Sequence, residues 1–244
     1  AAGEVLIYSN FIASLDGRIS MPDAHGGQGV PASLANKRDW RLYQELAAQA
    51  DIMLTSARYF RQLAEGCAQD LLPVGRDAAY ADLVHWREQH GLKPQPDVAI
   101  LSRSLDIPQA ALDKIQDRRL LVLSTEYAAE KKVAALSAQG VDVIRCAGSD
   151  VNGADARDML IRKGYRSAYM IAGPAVHATI ASSGALDELF LTTRHRLLAG
   201  DDFSTIMQGP AGQPVGLELV SMHFDAIGEQ SFSRYRARHR PRGG

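Results

Sequence analysis

Short apolar runs alternate with longer amphipathic stretches along most of the chain. The runs Val5–Phe11, Ile52–Leu54, Asp97–Leu101, Leu120–Leu123, Val141–Arg145, Ser167–Ile171 and Leu189–Thr193 are rich in β-branched residues and predict strands. Between them the spacing is helical. Ser33–Ala50 predicts a helix with Ser33 as N-cap and Leu42, Leu46 and Ala50 four residues apart on one face. Further helices are predicted over Ala57–Ala64, Asp77–His90, Gln109–Ile115, Thr125–Ala138, Asp155–Lys163 and Ala175–Ser183. Gly91, Gly140, Gly164 and Gly184 stand where such helices should stop. After residue 200 the helical spacing disappears, and Leu217–Phe224 and Gln230–Arg238 alternate as strands do.

A strand–helix succession of this kind predicts an α/β fold: a mixed, mainly parallel sheet with helices on both faces and antiparallel C-terminal strands at one edge. No internal repeat or low-complexity linker divides the chain. Residues 1–244 are therefore expected to form one domain, with a helical insertion at about 66–96.

Composition narrows the function classes. Hydrophobic residues make up 46% and charged residues 23% of 244, and the formal net charge is −1, which disfavours a nucleic-acid or membrane-surface protein. No apolar run reaches the roughly 18 residues of a spanning helix. Cys67 and Cys146 lie far apart without metal-ligand spacing, so neither a disulfide framework nor a metal site is expected, and a reducing, cytoplasmic setting is the default.

In open α/β sheets ligands bind beyond the carboxyl ends of strands, and three such ends carry candidate chemistry. In Ile171-Ala172-Gly173-Pro174-Ala175-Val176-His177 an apolar strand runs into Gly-Pro and a helix start, where free N–H groups could meet a pyrophosphate; a tight turn without ligand explains it equally. Ser102-Arg103-Ser104 sets two hydroxyls around a guanidinium, suited to a phosphate monoester such as the adenosine 2′-phosphate of NADPH, or simply to solvent. Thr55-Ser56-Ala57-Arg58 ends a strand in hydroxyls that either cap a helix or serve a ligand. Arg58 in a first helical turn opposes the dipole unless it meets an anion.

Ser14-Leu15-Asp16-Gly17-Arg18-Ile19, directly after the first strand, resembles the S-L-D-G-[KR] signature of the riboflavin-biosynthesis reductases, the C-terminal half of the bifunctional deaminase–reductase. A second block, Ala172-Gly173-Pro174 through Gly184-Ala185-Leu186-Asp187-Glu188-Leu189, is similar to that family's A/G-G-P turn, helix and L-V-D-E-L strand entry. The similarity runs from about residue 4 to residue 210. It implies a dihydrofolate-reductase-like fold, NADPH as hydride donor, a small-molecule substrate and a homodimer. It also implies that Ala13, Thr55–Arg58, Ser102–Ser104 and Ala172–His177 hold the cofactor. Asp16 and Ser14 then become the candidate catalytic residues: Asp16 to orient or protonate a substrate, or merely to form a tight turn with Gly17, and Ser14 to hydrogen-bond substrate or nicotinamide.

The chain departs from the family where substrate is bound. Ile171 replaces an acidic residue before A/G-G-P, Ala47 replaces the Arg of an L-R-A segment, Tyr59 replaces a Thr, and the D-D-P-x-L-T-x-R loop has no counterpart. An NADPH-dependent reductase acting on C=N or C=O of a small heterocyclic or sugar-like molecule, resembling 5-amino-6-(5-phosphoribosylamino)uracil reductase but divergent in substrate, is the first expectation. The alternatives are a non-catalytic NADPH-binding dimer with a sensing or scaffold role, and an α/β phosphate-binding protein. His25–Gly29 could form a mobile lid or an ordinary loop. Arg234, Arg236, Arg238, Arg240 and Arg242 alternate as a solvated tail or an anion grip. Trp40 and Trp86 are expected to pack.

Overall fold

The computed structural model describes residues 4–22, 27–68, 74–75, 77–209 and 213–238. In chain order its elements are β1 (Leu6–Ser14), β2 (Met21–Pro22), β3 (Gln28–Gly29), α1 (Lys37–Ala48), β4 (Ile52–Ser56), α2 (Ala57–Glu65), a 3-10 turn (Ala78–Tyr80), α3 (Ala81–Gln89), β5 (Asp97–Leu101) and α4 (Gln109–Leu112). There follow β6 (Leu120–Thr125), α5 (Glu130–Ser137), β7 (Asp142–Cys146), α6 (Gly153–Arg162), β8 (Ser167–Met170), α7 (Pro174–Ser182), β9 (Glu188–Arg194), β10 (Leu217–Asp225) and β11 (Gln230–Ala237). His25 and Gly26 of the glycine-rich stretch, Arg240 and Arg242 of the arginine run, and residues 69–73 and 76 of the 66–96 segment lie outside the described residues.

One nine-stranded sheet runs in the order β10-β11-β9-β1-β8-β4-β5-β6-β7. From β9 to β7 all seven strands are parallel, while β11 pairs antiparallel with β9 and β10 with β11. The mainly parallel sheet with antiparallel C-terminal strands is the architecture the sequence predicts. The β2–β3 pair was not foreseen.

Alternation along each strand divides the core between the faces. Ile7, Ile52, Leu54, Ala99, Leu121 and Leu123 pack under α6 and α7, against Met159, Leu160 and Ile180. On the other face Val98, Ile100 and Val122 pack against α2, α4 and α5 through Phe60, Ala111 and Leu136. There too, Tyr8, Met53 and Tyr169 meet Leu46 and Ala47 of α1. Where α6 crosses α7 the helices close on Gly153, whose added Cβ would stand 2.0 Å from Ser183 Oγ and 3.0 Å from Ile180 Cα. The α3 segment docks through Leu83 and Val74 on Ala48, with Trp86 against that cluster, and Trp40 stacks on Tyr43.

Two helix starts differ from the sequence expectation. Asn36, not Ser33, caps α1, its side chain accepting from Arg38 N and Asp39 N. Residues 31–34 instead form a turn, Leu34 N donating to Pro31 O, that buries Leu34 completely. Helix α5 begins at Glu130 rather than Thr125, because Ser124 and Thr125 continue β6 and pair with Arg145 and Cys146 of β7.

Candidate cofactor and substrate site

Because β9, β1, β8, β4, β5, β6 and β7 are parallel and adjacent, their carboxyl ends share one sheet edge. The order β1-β8-β4-β5 sets the Ser14–Arg18 loop, the Ala172–His177 turn, Thr55–Arg58 and Ser102–Ser104 side by side along it.

At the end of β8, Gly173 is the extended N-cap of α7 (φ −64°, ψ 170°), and Pro174 opens the helix. His177 N closes the first turn onto Gly173 O. The N–H groups of Ala175 and Val176 have no acceptor among the described residues, as a helix start requires unless a ligand supplies one. A Cβ placed on Gly173 would meet nothing within 4 Å, so the turn is open to an incoming group. Ala172 and Val176 pack inward on the core.

The His177 side chain does not line this turn. It is buried beneath α7, edge-on to Phe11, with Nε2 3.2 Å from Ser9 Oγ and Nδ1 3.0 Å from Ile206 O. Burial pulls its pKa down to about 4. The imidazole is a neutral structural group, so any cofactor contact at this position is with backbone.

On β4, Thr55 is buried and donates to Ile171 O at 3.3 Å, fastening β4 to β8. Ser56 is the N-cap of α2 but makes no side-chain cap bond, which leaves its hydroxyl available. Ala57 is buried in the core, and Arg58 is exposed with no ion pair to another described residue. Just beyond β5, Ser102 is a turn-former, its buried Oγ accepting from Leu105 N at 3.0 Å, and Ser104 Oγ accepts from Asp106 N at 3.4 Å. Arg103 reaches Asp150 at 3.0 Å in a fully solvated pair, which is readily exchanged for another anion. Lys132 Nζ caps Ser104 O at 2.9 Å.

Beyond β1, the two candidate catalytic groups are spent on their own loop. Ser14 Oγ donates to Asp16 Oδ1 at 2.5 Å and accepts from Arg18 N at 3.0 Å. Asp16 also pairs with Arg18 at 2.7 Å and accepts from Leu198 N and Ala199 N. The Ser14 hydroxyl foremost, then these backbone donors and Arg18, hold its carboxyl down at about 2. Asp16 therefore has no proton to donate near neutral pH, and its geometry is that of a clamp between β1 and the 198–199 loop. Ala13 is buried opposite Thr193.

The three substitutions in the reductase signature converge. Tyr59 and Ile171 line one apolar cavity of about 10 Å³ with Met53, Thr55, Phe60, Val98 and Ile115. Ala47 is fully buried in the cluster of Tyr8, Met53 and Tyr169 on which Ile171 packs. The larger cavity of about 250 Å³ lies at the opposite sheet edge, around Gln116, Arg119 and Val141. Sequence reasoning missed one further feature: Asp39 in the first turn of α1 faces Thr192 and Arg194 of β9, and burial pushes its carboxyl up against their opposing pull. Only long-range pairing brings them together, so no local pattern could have marked them.

The RibD C-terminal domain family matches residues 5–231. No curated protein matches the sequence. Among solved structures, a pyrimidine reductase-like protein from Corynebacterium diphtheriae superposes with a TM-score of 0.75 at 22% identity, covering 96% of this chain and 92% of that one. The riboflavin biosynthesis reductase Rib7 of Saccharomyces cerevisiae gives 0.65 at 15%, covering 98% and 92%. Acinetobacter baumannii RibD gives 0.66 at 15%; the match covers 97% of this chain and 59% of that longer protein.

Proposed function

The chain belongs to the RibD C-terminal domain family, and from that premise we propose that it binds NADPH along the β8-β4-β5 edge and reduces a small nitrogen heterocycle. The observation that carries this reading is the juxtaposition on neighbouring strands of three anion-seeking features: the unpartnered N–H groups of Ala175 and Val176, the uncapped Ser56 with Arg58, and the solvated Arg103. A pyrophosphate fits the first two and a ribose 2′-phosphate the third. The bound dinucleotide supplies a hydride for C=N or C=O reduction.

The chain's own residues bind and position. Gly173 admits the phosphates, because nothing occupies the space above it. Thr55 holds β4 against Ile171, fixing the distance between the two phosphate-facing turns. Ser14 and Asp16 act as positioning residues, clamping the end of β1 to Leu198 and Ala199 at the rim of the site. The apolar cavity that Tyr59 and Ile171 line together favours a substrate differing from that of 5-amino-6-(5-phosphoribosylamino)uracil reductases. Two well-separated free cysteines suit a reducing, cytoplasmic setting, and no described helix is long and apolar enough to cross a membrane.

A homodimer fits the sheet edge. Among the described residues no strand pairs with the outer edge of β10, which exposes Leu219, Val220, Met222 and Phe224, the last at 71%. An exposed apolar edge strand of nine residues is a pairing template, and a second copy covers it in kind.

Titration of the protein with NADPH and NADH, followed by tryptophan fluorescence, tests the cofactor reading. NADPH binding with weaker NADH binding supports it, and binding of neither removes it. Oxidation of bound NADPH on adding a pyrimidine, imine or aldehyde separates the enzyme from a non-catalytic binding dimer.

A further inference from the structure

The strand order places β6 between β5 and β7, so the carboxyl ends of β5 and β7 stand two strand spacings apart, roughly 10 Å. Arg103, just beyond β5, and Asp150, beyond β7, close that gap with Nη1 3.0 Å from Oδ1. The pair bridges the end of β6, on the side of β5 away from β4 and β8, where the phosphate-facing turns lie. Without a ligand, the guanidinium is drawn away from those turns and toward a carboxylate.

Asp150 is held in place to do this. Gly148, at φ +91°, turns the chain after β7, and its N–H donates to Glu126 Oε1 at 2.7 Å, which ties the loop to the end of β6. Ser149 Oγ donates to Asp150 Oδ2 at 3.2 Å and leaves Oδ1 to the guanidinium. The neighbouring cation, Lys132, has its Nζ on Ser104 O at 2.9 Å. A phosphate monoester arriving at the β5 end therefore meets Arg103 already occupied by an anion. Two anions on one guanidinium repel, and the phosphate has the higher charge and three acceptor oxygens. The existing pair rests on one hydrogen bond between side chains that are 74% and 72% exposed, so it yields readily.

We propose that Asp150 is a specificity-determining residue that competes with the ribose 2′-phosphate of NADPH for Arg103. The inference rests on the cofactor reading above. Breaking the Arg103–Asp150 pair is part of binding NADPH and no part of binding NADH, which lacks the phosphate and leaves the pair intact. Arg103 favours the phosphorylated cofactor, and Asp150 trims that preference.

The test is calorimetric titration of the full chain with NADPH and with NADH at low ionic strength, for wild type, Asp150→Asn, Arg103→Ala and the double variant. Asparagine keeps the size of Asp150 and removes its charge. Expected are NADPH binding about two- to fivefold tighter in Asp150→Asn, unchanged NADH binding, and no such gain when the same substitution is made in Arg103→Ala. The gain should fade at about 0.5 M salt, as an exposed charge effect does. Unchanged NADPH affinity in Asp150→Asn overturns the competition. So does an equal gain in the Arg103→Ala background or with NADH, either of which assigns the effect to the general field of a surface carboxylate. NADPH binding by wild type leaves the cofactor reading standing in each of those cases, whereas its absence removes that reading and this inference with it.

Discussion

Ser9 on β1 donates its hydroxyl to Nε2 of His177 on α7 across 3.2 Å of buried interior. The direction follows from the other ring nitrogen: Ile206 O can only accept, so Nδ1 carries the proton and Nε2 is left to accept. The imidazole thereby ties the sheet, the phosphate-facing helix and the 203–208 segment together in its neutral form.

That neutrality makes stability pH-dependent. The unfolded chain protonates this histidine near 6.5, while the folded protein resists until about 4. Over that window the unfolded state holds the extra proton, so stability is full above about 6.5 and falls as pH drops toward 4. The loss is on the order of 3 kcal/mol. Urea unfolding of wild type and His177→Gln between pH 7 and 4 should show a steep wild-type slope that the variant flattens.

Gly173→Ala should separate binding from folding. Its φ is negative and the added methyl meets nothing in the protein. The expected stability is unchanged within about 0.5 kcal/mol, while NADPH affinity falls because the methyl enters the space proposed for the pyrophosphate. Fluorescence titration beside thermal unfolding reads both.

Arg103→Ala should discriminate between cofactors. The exposed Arg103–Asp150 pair contributes little to stability, about 0–1 kcal/mol. Loss of a charge-assisted bond to the 2′-phosphate should weaken NADPH about tenfold or more and leave NADH unchanged. Equal weakening of both would move the 2′-phosphate elsewhere.

Arg157→Ala should destabilise without touching the cofactor edge. Arg157 Nη2 bonds both carboxylate oxygens of Asp187 at 2.9 Å, and its two Nη atoms also donate to Val5 O and Ala185 O at 2.8 Å. Asp187 in turn accepts from Ile7 N at 2.7 Å. Removing the guanidinium leaves these acceptors short in a half-buried site, an expected loss of about 2–4 kcal/mol in denaturant unfolding.

Met222→Asp with Phe224→Asp should yield monomers if β10 is the dimer edge. Both side chains are more than half exposed in the isolated chain. Sedimentation of wild type as a monomer would remove the homodimer from the account.

Much of this was legible in the sequence because local rules agreed with the global fold. The seven parallel strands were predicted from apolar runs with boundaries a few residues off, since a fully buried strand such as Asp97–Leu101 has no other use for five inward residues. The α1 start is ambiguous in the sequence because Ser33 and Asn36 are both good caps, and only the burial of Leu34 decides between them. Thr125 has the local character of a helix start, and pairing with Cys146 makes it a strand end. At the site, the Gly173 turn was readable because backbone chemistry is local. Asp39 was not: an acid in a first helical turn is ordinary dipole chemistry, and its partners Thr192 and Arg194 arrive from the far end of the chain. Ser14 and Asp16 were visible as a motif, but what they do is set by Leu198 and Ala199, which no local reading connects to them.

The central claim is that the β8-β4-β5 edge holds NADPH, and its most direct measurement is a crystal structure or amide-shift map of the protein with NADPH bound. The account predicts phosphates at the N–H groups of Ala175 and Val176 and the 2′-phosphate at Arg103. Saturating NADPH that leaves Gly173–Val176, Ser56 and Arg103 unperturbed would contradict it.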